Sequence, residues 1–253
     1  MRRNSRCSLR PAKQIQIYMR ATNKILVTED ELTVERTSDE LFAWVQKKIQ
    51  EIERIEGGKE AARMRKGYCK QLVEEIFPLS IFAKHVYSGK SHITFRPVIG
   101  NQNYDVLITD RSVSPPNISR LEITQAHEGE AEFLRRLLLQ DQGWAPASGA
   151  IEKSGTKNTG IKLKASIEAL DFEDVVADQV RLVTEAFERK LNRTFEQSTS
   201  LLIMFEDVYI FDDDRAIEKL RKLVEEEFAP RATGFSAIYL AGWSKHVLIS
   251  WTP

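Results

Sequence analysis

At 253 residues, with 42% hydrophobic and 29% charged side chains, the chain has room for one large domain or two small ones and enough apolar residues for a packed core. Lysine plus arginine (37) balances aspartate plus glutamate (37), which excludes a chain coated throughout in basic charge. No apolar run approaches the roughly 18 residues needed to span a bilayer, the basic N-terminus lacks the apolar stretch of a secretory signal, and Cys7 and Cys69 are too few for a disulfide framework or a cysteine-built zinc site. The expectation is a cytoplasmic protein with reduced thiols and no membrane partner.

Arg2, Arg3, Arg6, Arg10, Lys13, Arg20 and Lys24 all precede the first acid, Glu29. Residues 1–37 therefore read as a basic, weakly ordered arm, with a short strand near Ile25–Val27. Such an arm either adds sequence-independent phosphate contacts or serves as a solubilising terminus. From Ser38 the spacing of Leu41, Trp44, Val45, Ile49 and Ile52 predicts a helix, broken by Gly57-Gly58. A second helix is predicted from Lys59 to Ile76, with Pro78 as its stop.

The period then changes to two. Strands are predicted at His92–Ile99, Tyr104–Asp110 and Arg120–Ala126, with turns at Gly100–Asn103 and around Pro115-Pro116. Glu130–Gln142 reads as a helix. Residues 143–170, rich in Gly, Ser, Thr, Asn and Lys, read as a loop-rich insertion with a short strand near Ile161–Leu163. A long helix is predicted from Phe172 to Phe195, then a strand from Leu201, a charged helix at Asp213–Phe228, and two strands at Phe235–Leu240 and His246–Trp251. Residues 38–253 are thus expected to form one α/β domain whose core runs helix, three strands, helix, strand, with an extra helix before it and a helix and strands after it.

Two carboxylates stand out, Asp105 and Glu122, on consecutive predicted strands. Alternation sets Leu121, Ile123 and Gln125 on one face and Glu122 and Thr124 on the other. If the strands pair antiparallel, Asp105 and Glu122 become neighbours across the ladder. Adjacent carboxylates repel unless a cation lies between them, and a few hard oxygens suit Mg²⁺ or Mn²⁺, with a substrate phosphate as a further ligand. Alternatively, Asp105 simply caps the strand after its turn.

Tyr104-Asp105-Val106-Leu107-Ile108 followed by Leu121-Glu122-Ile123-Thr124 resembles the PD-(D/E)xK motif of the nuclease-like superfamily, an aspartate on one strand and Glu-x-Lys on the next. The strand end Glu122-Ile123-Thr124-Gln125-Ala126 is also similar to bacterial proteins carrying Glu-x-Thr-x-Ala. The resemblance implies a restriction-endonuclease-like fold, a metal-dependent nuclease activity and a nucleic-acid partner. A non-catalytic module on the same fold, binding nucleic acid or a protein, is the other outcome, and self-association as a homodimer is left open. It further implies a glutamate from the preceding helix in the metal site, Glu75 in preference to Glu74. The chain departs from the pattern at Tyr104, where the motif has proline, and at Thr124, where it has lysine. Members of the superfamily also carry that lysine on the following helix, where Lys190 lies. Gln179 is eleven residues earlier, about 20° away around the helix axis, so both are expected to flank the carboxylates. Lys190 is otherwise a solvated helix-edge lysine. Gln125 and His127 are further substitutes for the lysine, though alternation sets them on the opposite face.

Weaker signals resolve blandly. Ser154-Gly155-Thr156-Lys157 with Gly160 lacks the lysine of a phosphate loop and reads as a surface loop. Asp212-Asp213-Asp214 reads as a helix cap. The four histidines show no zinc spacing, and Trp243 and Trp251 read as core or interface residues.

Overall fold

In the computed structural model, residues 25–146, 149–156, 160–210, 212–232 and 234–252 are described. The basic segment 1–24 and Lys157 lie outside them. The described residues divide into two compact units, one holding 25–128 and 171–252, the other 129–170.

In the larger unit, the stretch read as a weakly ordered arm is folded from residue 29 onward. Helix α1 (Glu29–Leu32) is closed by a capping box between Thr28 and Glu31, and Leu32 is buried. Ile25–Val27 is not a strand, but Val27 is buried in the core. Strand β1 (Arg36–Thr37) leads into α2 (Ser38–Arg54), capped in the same way by Thr37 and Glu40. Leu41, Val45 and Ile52 are its buried stripe. Gly57 adopts a left-handed φ of 72°, and Gly58 lies so close to the Ile52 carbonyl that a Cβ would come within 2.0 Å of its oxygen. The glycine pair thus ends α2 and starts α3 (Gly58–Arg63).

The expected 59–76 helix is not continuous, and Pro78 does not end it. Backbone breaks at Arg65 and Gly67, both with positive φ, separate α3 from α4 (Cys69–Gln71). A π-helical turn, Leu72–Ile76, follows and runs directly into α5 (Phe77–Tyr87), which contains Pro78 near its start. Proline lacks the N–H that an interior helical position requires. The helix tolerates it here because the preceding turn is widened and its carbonyls find another donor.

Strands β2 (Ile93–Pro97), β3 (Val106–Asp110) and β4 (Asn117–Gln125) form an antiparallel meander. The smaller unit comes next: α6 (Gly129–Gln142), then β5 (Ile151–Thr156) paired antiparallel with β6 (Gly160–Ala165). β6 covers the short strand read at Ile161–Leu163, whereas β5 forms where only loop was read, because pairing rather than local periodicity creates it. The chain returns to the larger unit with α7 (Phe172–Leu191), shorter than predicted because Asn192 caps it, and β7 (Thr199–Phe205). Helix α8 (Asp214–Lys222) is capped by Asp213, which accepts the Ala216 N–H at 2.9 Å. It continues through a π-helical turn, Leu223–Phe228, to β8 (Ala237–Gly242) and β9 (Leu248–Trp251).

The described strands of the larger unit form one seven-stranded mixed sheet, ordered β1-β2-β3-β4-β7-β8-β9. β7 runs parallel to β4 and to β8, and the other neighbours are antiparallel. Alternation sorts the sheet's side chains between two cores. Val106, Ile108, Leu121, Ile123, Leu202 and Met204 pack with Leu41, Ile76 and Phe82 of the first helices. Leu201, Ile203, Phe205, Ile238 and Leu240 pack with Val176, Val183 and Phe187 of α7 and Phe228. Among the described residues no helix is long and apolar enough to cross a membrane.

Candidate active site

β3 begins at Val106, opposite Leu121, so residues 122–125 of β4 extend past it. Asp105 occupies the gap. Its N–H donates to the Leu121 carbonyl at 2.9 Å, and its Oδ2 accepts the Ile123 N–H at 2.7 Å. The side chain continues the ladder where the strand stops. The approach loop is tied down on several sides: the Gln102 amide donates to the carbonyls of Val98 and Tyr104, each at 2.9 Å, and Asn103 donates to the Thr194 carbonyl at 2.7 Å. Tyr104 stands where the motif has proline. The Arg120 guanidinium lies over its ring, 5.4 Å from the centroid, and is itself held by Glu196 at 2.6 Å.

Glu122, on β4, is only 4% exposed. Its Oε1 meets the Lys190 ammonium from α7 in a direct ion pair, and the Arg193 guanidinium stands 3.9 Å away. Thr124 is on the same strand face and carries no charge, and the ammonium beside Glu122 is that of Lys190. Burial first, then the charge of Glu122, raise the Asp105 pKa to about 6, against the lowering effects of the Ile123 N–H, Lys190 and Arg193. Glu75 approaches from the π-helical turn. Burial and the negative charges of Asp105, Glu74 and Glu122 raise its pKa to about 7, opposed by Lys70. Glu74 is turned away to Arg65 at 3.4 Å, so of the two glutamates Glu75 belongs with the cluster. The acids are thus gathered electrostatically. Even so, among the described residues no three His, Cys, Asp or Glu side chains converge into a ready-made ion cage.

Two expected members behave differently. Gln179 lies eleven residues from Lys190, which is about 16 Å along the helix at 1.5 Å per residue. At that end Arg181 reaches Glu128 at 3.0 Å, so Gln179 is remote from Glu122. Angular alignment alone suggests otherwise. Gln125 points to the helical side, as alternation requires, and its amide donates to the carbonyls of Glu74 (2.9 Å) and Val73 (3.4 Å) rather than replacing a lysine. Helical spacing sets Arg193 on another face of α7, but the helix ends at Leu191 and that spacing no longer governs it. Arg189 donates to the Gln125 carbonyl at 2.9 Å. No local sequence pattern marks these two arginines.

A buried acid that no sequence signal flags lies elsewhere. Asp207, fully buried after β7, accepts the Ser244 N–H at 2.7 Å and the Ser244 hydroxyl, clasping the β8–β9 turn. Compared with protein-family models, with curated proteins and with solved structures, the chain finds no match in any of the three.

Proposed function

We propose that the chain is a metal-dependent nuclease built on a restriction-endonuclease-like core: the helical segment of α4 and α5, the meander β2–β3–β4, then α7 and the parallel strand β7. The observation that carries this reading is the placement of the Lys190 ammonium on Glu122, beside Asp105, at the end of β3. An aspartate at one strand start, a glutamate on the next strand and a lysine from the following helix give the charge set of a PD-(D/E)xK site with its lysine relocated.

The residues fit a hard divalent cation. Burial first, and then neighbouring carboxylate charge, holds the protons of Asp105 and Glu75 above the normal carboxylate range, which a cation between them would offset. Mg²⁺ or Mn²⁺ requires only one or two carboxylates beside its waters and a phosphate, so a cage of three side chains is not needed. Asp105 and Glu122 would hold the ion, with Glu75 supporting it, and it would polarise the phosphodiester and acidify the attacking water. Lys190 holds positive charge beside the carboxylates, where a phosphate gaining charge would be stabilised. Arg193 adds a second cation on the solvent side. Hydrolysis consumes one water and yields a phosphomonoester and a hydroxyl. A cytoplasmic location is part of the reading, since Cys69 is a buried free thiol.

The test is incubation of purified protein with Mg²⁺ or Mn²⁺ and single-stranded, double-stranded and branched DNA and RNA. Cleavage lost in Asp105→Ala supports the proposal. One observation favours a second reading, a non-catalytic module that binds nucleic acid or a protein: Glu122 is already paired with Lys190. Binding without cleavage would select it.

A further inference from the structure

Gln125 links the elements that carry Glu75 and Lys190, which approach β4 from opposite faces of the sheet. In the π-helical turn the Phe77 N–H donates to the Leu72 carbonyl, five residues back, rather than to Val73. Pro78, next in the chain, has no N–H, so it can serve neither Val73, five residues before it, nor Glu74, four before it. These are the two carbonyls that the Gln125 side-chain amide reaches, at 3.4 and 2.9 Å. A buried carbonyl left without a donor costs about 1–3 kcal/mol, so one amide from a neighbouring strand meets a need created by the proline. The main chain of the same residue faces the other way: its carbonyl accepts from Arg189, adjacent to Lys190 on α7, and the next N–H, Ala126, donates to Met204 of β7 at 2.8 Å.

We propose that Gln125 is a positioning residue: its amide replaces the donor that Pro78 lacks, fixes the π-helical turn and thereby holds Glu75 against Asp105 and Glu122. The inference rests on the metal-site reading for its functional consequence but not for the lock itself. Removing a group that orients a metal-supporting side chain weakens metal binding by about 10–100-fold.

The experiment compares full-length wild type, Gln125→Leu, Pro78→Ala and the double variant by amide hydrogen exchange across residues 73–77 and by calorimetric titration with Mn²⁺. Gln125→Glu, of equal size but without the donor, substitutes for Gln125→Leu if the latter does not fold. In Gln125→Leu, exchange should accelerate in residues 73–77 and not in β9, and Mn²⁺ affinity should fall by about tenfold or more. Adding Pro78→Ala, which returns a backbone N–H, should restore both. Unchanged exchange overturns the lock. Accelerated exchange with wild-type Mn²⁺ affinity overturns the positioning role. If wild type itself binds no Mn²⁺, the metal site fails, and exchange alone decides the lock: acceleration cured by Pro78→Ala supports it, and its absence refutes it.

Discussion

Replacing Glu75 by glutamine should stabilise the metal-free protein at pH 8 and leave it unchanged at pH 4. The folded chain holds the Glu75 proton up to about pH 7, whereas the unfolded chain releases it near 4.5. Between those values the folded state binds more protons, so stability falls as pH rises through the window and the loss is complete above about pH 7. The displacement from 4.5 to about 7 corresponds to about 3 kcal/mol at 1.36 kcal/mol per decade. Solvent access on the exposed side of Glu75 and its interaction with Asp105 reduce this to about 2 kcal/mol attributable to Glu75 alone. Glutamine keeps the shape and never ionises. Urea unfolding of both proteins at pH 4, 6 and 8 measures the difference directly. The gap should open between pH 5 and 7 and plateau, and saturating Mn²⁺ at pH 8 should then stabilise wild type more than the variant. Equal stability at pH 8, or a less stable variant, would refute the view that Glu75 is buried beside like charge.

Other perturbations test separate parts of the structure. Asp105→Ala should abolish calorimetric Mn²⁺ binding, and retention of binding would move the ion to another group of acids. Gly242→Ala should destabilise the fold by about 1–3 kcal/mol in chemical denaturation, because a Cβ there would come within 1.8 Å of the Asp207 carboxylate. Wild-type stability would mean that the Asp207 clasp yields freely. Deleting residues 1–24 should flatten the salt dependence of nucleic-acid binding, by roughly 0.9 in log K against log salt for each duplex phosphate that the segment neutralises. An unchanged slope would assign that segment to solubility.

Period-two alternation in Val106, Ile108, Leu121 and Ile123 marks the meander and its buried face, and the stripe Val176–Phe187 marks the face of α7 that meets the sheet. The proximity of Asp105 and Glu122 follows from a short antiparallel connection, which is a local property. What local reading misses depends on groups distant in the chain. Pro78 ends a helix only if nothing supplies the missing donor, and Gln125, 47 residues later, does so. Gln179 is misplaced by a helical wheel, which records angle and ignores rise. Arg193 is misplaced when the wheel is carried beyond the cap at Asn192. The β5–β6 hairpin has weak alternation and is stabilised by pairing.

The most direct measurement of the nuclease proposal is cleavage by wild type and by Lys190→Ala with Mn²⁺, read alongside Mn²⁺ affinity. A group that acts on the transition state affects rate far more than ground-state binding. Wild type should cleave at least one class of DNA or RNA, and Lys190→Ala should lose about 10²–10³ in rate while still binding Mn²⁺. Undiminished cleavage by Lys190→Ala, or intact substrates with wild type across single-stranded, double-stranded and branched DNA and RNA, would contradict it.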